Sequence, residues 1–548
     1  MILTPPAHAR PSWLPLRIFI GSGLAAALLL LAHGASVVET LRLLIGLPVT
    51  SEALDAAHPV SILGHSAQTL LLMLAAGLVG FSGAVLVTSL TAPFGSTGLR
   101  LASLLGRLMA AIPAGAAAWI WLGWWIGDRS GTVETLMPVR PLGWEANFSD
   151  ILARLWWREA APLLWLSLTC MGLCLHTLAA TLANASLADL QHGLVGRGLA
   201  RSRIRLQHFT PLFWPLWQRR LEAIGFPLLI VVIPVEQILA YPGWGGATFA
   251  AMQSGSPQSI ATCIYAAGAL MAAWTLLVGL LRPHTSPALA VLDAPRRAAL
   301  DHRHQRDARQ TRQFGILVNG LSALLCAAVL LIWMLRPSAF ASLGAFPQAA
   351  WQADLNTLLQ ILGIALLLGP LLTALRHTAI ATSLRRFALL ESLAWSPIVL
   401  WAMGLSFGSG RVVDPATALG LVGGVILAVE LEACTRRAQA RGYLSAARVL
   451  GASPWRAWRT HALPSWLQEL IGTLIWLAAA LWSAWFLIQG LGLPEGFGTD
   501  PSLGGEMARA AGDALQTRTP LLTNSLPAAL SILCLWNLSR IILPSDDF

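Results

Sequence analysis

The chain contains no lysine and few charged residues of either sign. All 36 of its basic residues are arginine, and charged residues make up 11% of its 548 positions, whereas about 25% is usual in soluble proteins. Without lysine the chain has neither the phosphate-binding lysine of a P-loop nor a lysine Schiff base. It therefore does not itself hydrolyse nucleotides through a Walker A site.

Candidates for other chemistry are equally scarce. The apolar segments hold no paired carboxylates, no HExxH motif and no nucleophile elbow. The six cysteines are scattered, and no set of cysteines and histidines has the spacing of a zinc site. We therefore predict that the chain is not an enzyme, has no catalytic residues, binds no metal and needs no cofactor.

The chain is rich in long apolar segments. Hydrophobic residues make up 56% of it, and the mean hydropathy is +0.65. A membrane-spanning helix needs about 20 mostly apolar residues, and twelve segments are candidates. The first six lie at residues 16–32, 69–90, 104–126, 161–182, 224–239 and 260–281. The second six lie at residues 316–335, 358–375, 387–407, 416–431, 470–489 and 521–538. We predict an all-α integral membrane protein.

The positions of the arginines predict its orientation. With a cytoplasmic amino terminus and alternating spans, 27 of the 36 arginines lie on the cytoplasmic side and nine on the outer side, as the positive-inside rule requires. Both termini are then cytoplasmic. The arginines lie in short loops between apolar segments, so membrane topology accounts for the formal net charge of +10. We therefore expect the lipid bilayer, and no nucleic acid, as a partner.

The one long polar and basic stretch divides the chain in two. It covers residues 282–315 and falls between the sixth and seventh spans. We predict a transmembrane domain over residues 1–281, a cytoplasmic basic linker over residues 282–315, and a second transmembrane domain over residues 316–548. The linker histidines, His302 and His304, are expected to be solvated.

A repeated motif follows the fourth span of each half. The first copy reads GRGLARSRIRLQHFTP and ends at Pro211, and the second reads GYLSAARVLGASPWRAWRTHALP and ends at Pro464. When Gly198 is aligned with Gly451, the histidines coincide and so do the prolines. This common spacing at one topological position indicates two homologous six-span units.

The second copy predicts two short helices, set at an angle, on the cytoplasmic surface. Gly451 permits a tight turn and Pro454 suits the first turn of the second helix. Such a bent segment can insert into a groove of a cytoplasmic partner and carry its motion into the spans. The candidate coupling residues of the first copy are Gly198, Arg201, Arg203, His208 and Pro211. Those of the second copy are Ala446, Ala447, Gly451, Ala452, His461 and Pro464.

A second candidate site follows the next span of each half. The sequence PGWG occurs there in the first half and QGLG in the second. The glycines predict a tight turn at the outer end of the span. The residues of this predicted turn are Glu236, Pro242, Gly243, Gly245, Gly490 and Gly492. The sequence assigns no residue to solute binding.

The second copy resembles the EAA coupling motif of ABC importer permeases, from Ser445 through Gly451 to Pro464. The similarity is greatest to the dipeptide, oligopeptide and nickel permease family, although Ser445 replaces the glutamate of the motif and the two permease subunits are fused here. The resemblance implies two permease domains in the bacterial inner membrane. It also implies two ATP-binding cassette ATPase subunits and a periplasmic solute-binding protein as partners. The implied function is ATP-driven import of peptides or peptide-like solutes.

Two other interpretations remain open. A secondary transporter of the major facilitator type also has six plus six spans, and an ABC exporter of polyamines or similar solutes would share the coupling motif. Ion coupling favours ionisable residues deep in the membrane. The candidates for that role lie near predicted span ends, where we expect them to be solvated, and this disfavours the secondary transporter. They are Glu236, Glu391, Glu430 and Glu469.

Overall fold

A computed structural model describes most of the predicted spans. The described residues are 14–32, 59–91, 95–111, 160–184, 196, 221, 224–225, 228–237, 239, 241–254, 256–280, 301–336, 338, 345–376, 413–440, 447, 449–490, 502–506 and 519–542. Their regular elements are all helical, and no strand occurs among them. The prediction of an all-α integral membrane protein is confirmed.

Seven of the described helices lie within the first predicted domain. They are α1 (Leu14–Ala32), α2 (Pro59–Thr91), α3 (Gly95–Ala111), α4 (Ala161–Asn184), α5 (Leu228–Gln237), α6 (Trp244–Ser254) and α7 (Pro257–Leu280). Six follow: α8 (Asp301–Leu335), α9 (Gln348–Arg376), α10 (Pro415–Ala440), α11 (Pro454–Ala457), α12 (Leu463–Gly490) and α13 (Thr519–Ile542). A π-helical turn, Trp458–Ala462, joins α11 to α12.

Among the described residues, eight helices are long and apolar enough to cross a membrane. They coincide with eight of the twelve predicted spans. The first and fifth predicted spans correspond to shorter apolar helices, within α1 and at α5. The third predicted span begins in α3 and continues beyond the described residues, and the ninth, residues 387–407, lies outside them.

The start of α3 differs from the expectation. The predicted topology places Arg100 and Arg107 on the cytoplasmic side, at the start of the third span (residues 104–126), but the helix already begins at Gly95 and both arginines are buried. With Ser103 they recur at helical spacing, so they share the face that packs against α4. The opposite face is exposed and consists of the leucines Leu101, Leu105 and Leu108.

The start of α8 differs in the same way. The helix begins at Asp301, inside the predicted linker, and runs without a break into the seventh span. Residues 301–314 contain no proline or glycine and are rich in arginine and glutamine, which are good helix formers. The carboxyl-terminal part of the linker therefore extends the spanning helix.

The described helices pair in the same order in both halves. The first helix of each half packs against the last, α1 against α7 and α8 against α13. The second spanning helix packs against the fourth, α2 against α4 and α9 against α10. The two halves meet where α13 and α8 contact α3.

Glycines allow the closest of these approaches. A Cβ atom at Gly80 of α2 would lie 2.6 Å from the carbonyl oxygen of Ser167 and 2.8 Å from the Cβ atom of Cys170 on α4. The backbones of α2 and α4 are thus in direct contact. Without a strong hydrophobic drive between helices in lipid, such packing stabilises the bundle.

We expect Gly80→Val to lower the unfolding temperature of the detergent-purified protein, because it overpacks this contact at a cost of about 1–3 kcal/mol. Gly363→Val is the matched control, since nothing lies within 4 Å of a Cβ atom at Gly363 of α9. Thermal unfolding followed by tryptophan fluorescence measures both. Equal unfolding temperatures for the two variants would contradict the close contact of α2 with α4.

Candidate functional site

The second copy of the motif folds into a sharply bent segment, here called the elbow segment (residues 447 and 449–464). Gly451 has φ +87°, a left-handed conformation that favours glycine. The amide of Ala452 donates a hydrogen bond to the carbonyl oxygen of Ala447 at 3.0 Å, which is the bonding pattern of a Schellman C-cap. The predicted tight turn at Gly451 is present.

The second arm of the elbow segment begins with a standard cap. The amide of Arg456 donates to Oγ of Ser453 at 3.3 Å, so Ser453 is the N-cap and Pro454 occupies the first helical position. Proline is preferred there because the amide that it lacks would have no partner within the helix. The predicted place of Pro454 in the first turn of the second helix is confirmed.

Small and large side chains are sorted between the two sides of the elbow segment. Ala447, Ala457 and Ala462 are buried against one another on the inner side. On the outer side the apolar side chains of Val449 and Leu450 are 87% and 86% exposed. The alanines bring the two arms close together and leave the larger side chains at the tip.

Trp455 extends this exposed surface and stacks on the half-buried ring of Trp458. The rings of Trp455 and Trp458 stack with their centroids 5.5 Å apart and an angle of 18° between their planes, and Trp455 is 67% exposed. Exposed apolar groups of this size, next to exposed Arg456 and Arg459, are typical of a protein-binding surface.

The π-helical turn lies where the motif places its histidine and proline. Pro464 would clash with the carbonyl group of the preceding turn and has no amide to donate. The wider turn accommodates it, with the amide of Leu463 donating to the carbonyl oxygen of Trp458. His461 lies in this turn and Pro464 is exposed, so the elbow segment continues into α12 without a loop.

Six of the predicted coupling residues lie outside the described residues. Ala446 lies outside the described residues, whereas Ala447, Gly451, Ala452, His461 and Pro464 all lie in the elbow segment. All five candidates of the first copy lie outside the described residues: Gly198, Arg201, Arg203, His208 and Pro211.

The predicted outer turn of the first half is organised around a buried carboxylate. Glu236, at the end of α5, is fully buried. Its Oε1 accepts a hydrogen bond from Oγ1 of Thr69 at 2.7 Å, and its Oε2 accepts one from the amide of Gly245. Oγ1 of Thr69 in turn accepts from the amide of Trp244 at 2.8 Å. Both amides belong to the first turn of α6, where a negative charge is favoured.

Gly243 and Gly245 leave room for this carboxylate. A Cβ atom at Gly243 would overlap the carboxylate atoms of Glu236, and one at Gly245 would lie 2.8 Å from Oε2. Pro242 is half-buried beside them. The structure therefore brings together four of the residues that the sequence grouped, and it adds Thr69 from α2.

The second half has a related arrangement with a different acid. Asp354 of α9 is buried and accepts hydrogen bonds from Nε1 of Trp485 at 2.9 Å and from the amide of Leu503 at 3.1 Å. Leu503 begins a helical turn at residues 503–506. Asp354 thus contacts the start of this turn from the second spanning helix of its half, as Thr69 does in the first half.

Of the two predicted glycines of the second outer turn, one lies within the described residues. Gly490 ends α12, and a Cβ atom at Gly504 would lie 2.9 Å from its amide nitrogen. Oε1 of Gln489 accepts a hydrogen bond from Oγ of Ser502 at 3.2 Å. Gly492 lies outside the described residues. Here the close contact with the end of the span involves Gly504, which the sequence analysis did not select.

The acidic side chains differ from the expectation of a solvated interface. Glu236, Glu430 and Glu469 are all buried, and Glu391 lies outside the described residues. Sequence reasoning also missed Thr69 and Asp354, although one acid at the start of an apolar helix is a signal for Asp354. Among the described residues, no three His, Cys, Asp or Glu side chains are grouped as metal ligands require.

We expect Gly243→Ala to destabilise the protein by about 2 kcal/mol or more, because the methyl group displaces a buried carboxylate from its hydrogen bonds. Gly246→Ala is the matched control, since its nearest neighbour, the carbonyl oxygen of Tyr241, would lie 3.6 Å away. Thermal unfolding in detergent compares them. A Gly246→Ala variant that is as unstable as Gly243→Ala would contradict a specific role for Glu236.

Comparison with known families gives one match. Residues 362–544 match the family described as the binding-protein-dependent transport system inner membrane component. No curated protein and no solved structure matches the chain. The matched region contains the elbow segment together with α10, α12 and α13. The family consists of transport permeases, not enzymes. Residues 362–544 are thus similar to permease components of ABC transporters, and the eight apolar helices support a multi-pass membrane protein.

Proposed function

We propose that this chain forms both permease domains of an ABC importer in the bacterial inner membrane. Each half carries one coupling segment that docks on an ATPase subunit, and a periplasmic solute-binding protein delivers peptides or peptide-like solutes from outside. ATP hydrolysis takes place on the ATPase subunits, and the pathway between the halves alternates between inward- and outward-facing forms.

The elbow segment is the observation that carries this proposal. Val449 and Leu450 are almost fully exposed beside a glycine turn. In the predicted topology this tip faces the cytoplasm, where exposed apolar groups are unfavourable unless another protein covers them. A bent, apolar tip flanked by arginines fits a groove with an apolar floor and an acidic rim.

The elbow segment is also suited to transmit force. It continues into α12 through the π-helical turn, and α12 packs against α10 and α13. Nε1 of Trp466 donates a hydrogen bond to Oγ1 of Thr435 at 3.2 Å, which ties the start of α12 to α10. Displacement of the tip by a moving partner would therefore tilt the spanning helices and not only a surface loop.

Two further observations support a second coupling segment in the first half. The motif there has the same glycine, histidine and proline spacing. The described helices of the two halves also pair in the same order. We therefore propose one ATPase subunit for each half, with Gly198 to Pro211 as the first docking segment.

The choice of solute rests on the resemblance to peptide permeases alone. The family description names transport that depends on a binding protein, which favours uptake over export. Delivery would occur at segments 127–160 and 491–520, which the predicted topology places on the outer side.

Two of the buried acids, Glu236 and Asp354, do not favour ion coupling over this proposal. Both Glu236 and Asp354 accept backbone amide hydrogen bonds at the start of a helical segment. A carboxylate in that position stabilises the local fold. A secondary transporter would instead need an acid that changes partners during the cycle.

We expect Leu450→Ser to weaken binding of the ATPase subunits by about tenfold, because exposed apolar anchors dominate binding energy at such interfaces. Leu280→Ser is the matched control, an exposed leucine at the end of α7 that the predicted topology also places on the cytoplasmic side. Binding is measured by titrating the purified ATPase into the detergent-purified chain. Equal loss in both variants would contradict docking at the elbow segment.

The experiment that tests the whole proposal is co-purification from the native host, followed by reconstitution in liposomes. We expect two ATPase subunits per chain and ATP-dependent uptake of peptides when the binding protein is present. Deletion of residues 198–211 should reduce the ratio to one. Uptake driven by a proton gradient without any ATPase would refute the proposal in favour of a secondary transporter.

A further inference from the structure

The two halves are joined by buried and half-buried polar side chains on α3, α4, α8 and α13. We name this cluster the inter-half junction. Its residues are Ser103, Arg107, His176, Ser322, Asn537 and Arg540. The predicted topology places all six near the cytoplasmic ends of their spans. The elbow segment lies at the same end of the protein.

The first connection runs through a histidine of α4. Nη2 of Arg540 lies 2.9 Å from Nε2 of His176, and Nδ1 of the same ring lies 2.9 Å from Oγ of Ser103. A guanidinium group only donates hydrogen bonds. Nε2 must therefore accept, so the ring is neutral and Nδ1 donates to Ser103. The ring of Trp536 packs edge-on against His176 with centroids 5.7 Å apart.

The second connection runs through an asparagine of α13. Nη1 of Arg107 donates to Oδ1 of Asn537, and Nδ2 of Asn537 donates to Oγ of Ser322 at 2.9 Å. Arg107 is 3% exposed and Asn537 is fully buried. A charged group buried in this way depends strongly on its acceptor, since little water is present to replace it.

Close helix packing positions the first-half side of the junction. A Cβ atom at Gly106 of α3 would lie 2.5 Å from the amide nitrogen of His176 on α4. Ser103 and Arg107 flank Gly106 on the helix, so both are held next to α4. The polar face of α3 thus points into the protein where α3 contacts α13.

The junction is also connected to the elbow segment. Nε2 of Gln468, near the start of α12, donates to the carbonyl oxygen of Ile542 at 2.9 Å. Ile542 is the last residue of α13, two positions after Arg540, and α12 packs along α13. A tilt of α12 would therefore move the end of α13 that carries Asn537 and Arg540.

We infer that the inter-half junction is the cytoplasmic gate latch of the transporter. Its two hydrogen-bonded connections hold the halves together when the pathway is closed on the inside. They separate when the elbow segment moves, because directional polar contacts are lost over a small displacement and water then solvates the arginines. This inference rests on the proposed function for what moves the elbow segment, whereas the junction itself can be tested without partners.

The test uses a cysteine reporter one helical turn from Ser103. Leu99→Cys places a thiol at a buried position of α3, on the side of Ser103 that faces the cytoplasm in the predicted topology. Inside-out vesicles that contain the chain alone are treated with a membrane-impermeant maleimide. Peptide mass spectrometry measures labelling at residue 99, so labelling of the native cysteines does not interfere. We expect Asn537→Leu to raise the labelling rate about tenfold, because it removes the acceptor of a buried charge.

Two variants control for non-specific damage. Asn537→Asp keeps an acceptor for Arg107 and should leave labelling close to the unmodified rate. Leu538→Ala alters the neighbouring, partly exposed residue of the same helix and should also have no effect. If Asn537→Leu does not purify as a monodisperse protein, His176→Phe removes the acceptor of Arg540 and keeps a ring against Trp536. Unchanged labelling in the properly folded latch variants, or an equal rise in Leu538→Ala, would overturn the latch.

The gating role is measured separately. With the ATPase subunits bound, trapping the ATP state should change the labelling rate at residue 99 by about fivefold, in the range of ordinary coupling energies. A rate that responds to Asn537→Leu but not to nucleotide would overturn the gate. A failure of the proposed function itself would be seen differently, as the absence of any ATPase in the co-purification experiment.

Discussion

The bilayer constrains this protein because it offers no hydrogen-bonding partners to buried polar groups. The described spans satisfy this requirement for the backbone with helices, and several buried polar side chains satisfy it through contacts between elements. Glu236 and Asp354 each meet the free amides at the start of a helical segment, so an acid and an unpaired helix end satisfy each other. Arg107 and Arg540 meet acceptors on the opposite half. These four charged side chains thus lie at connections between elements.

In the elbow segment it is apolar side chains, and not polar ones, that occupy the unusual environment. Its apolar side chains project from the surface while its alanines face inward. Small residues serve in the same way elsewhere, at Gly80, Gly106 and Gly243, where a side chain would separate two elements that need direct contact. The fold therefore uses small residues to bring backbones together, and in the elbow segment this leaves the large apolar side chains exposed at the tip.

The outer turns and the inter-half junction lie at opposite ends of the spans in the predicted topology. An alternating-access transporter needs its two ends to open in turn. The outer turns are closed within each half, through Glu236 or Asp354. The junction is closed between the halves. In the proposed transport cycle, relative motion of the halves would therefore break polar contacts at the cytoplasmic end.

The sequence by itself determined the helical class, ten span positions that fall in described helices, the turn at Gly451, the helix start at Pro454 and the grouping of Glu236 with its glycines. These features depend on composition, on hydrophobic length and on residues that are close in the chain. The tertiary structure alone decided that Arg100 and Arg107 are buried, that Thr69 and Asp354 complete the outer turns, and that Asn537 meets Arg107 from 430 residues away. A polar residue near a span end has the same local pattern whether it faces water or another helix. Only the packing of the helices determines which of these it contacts.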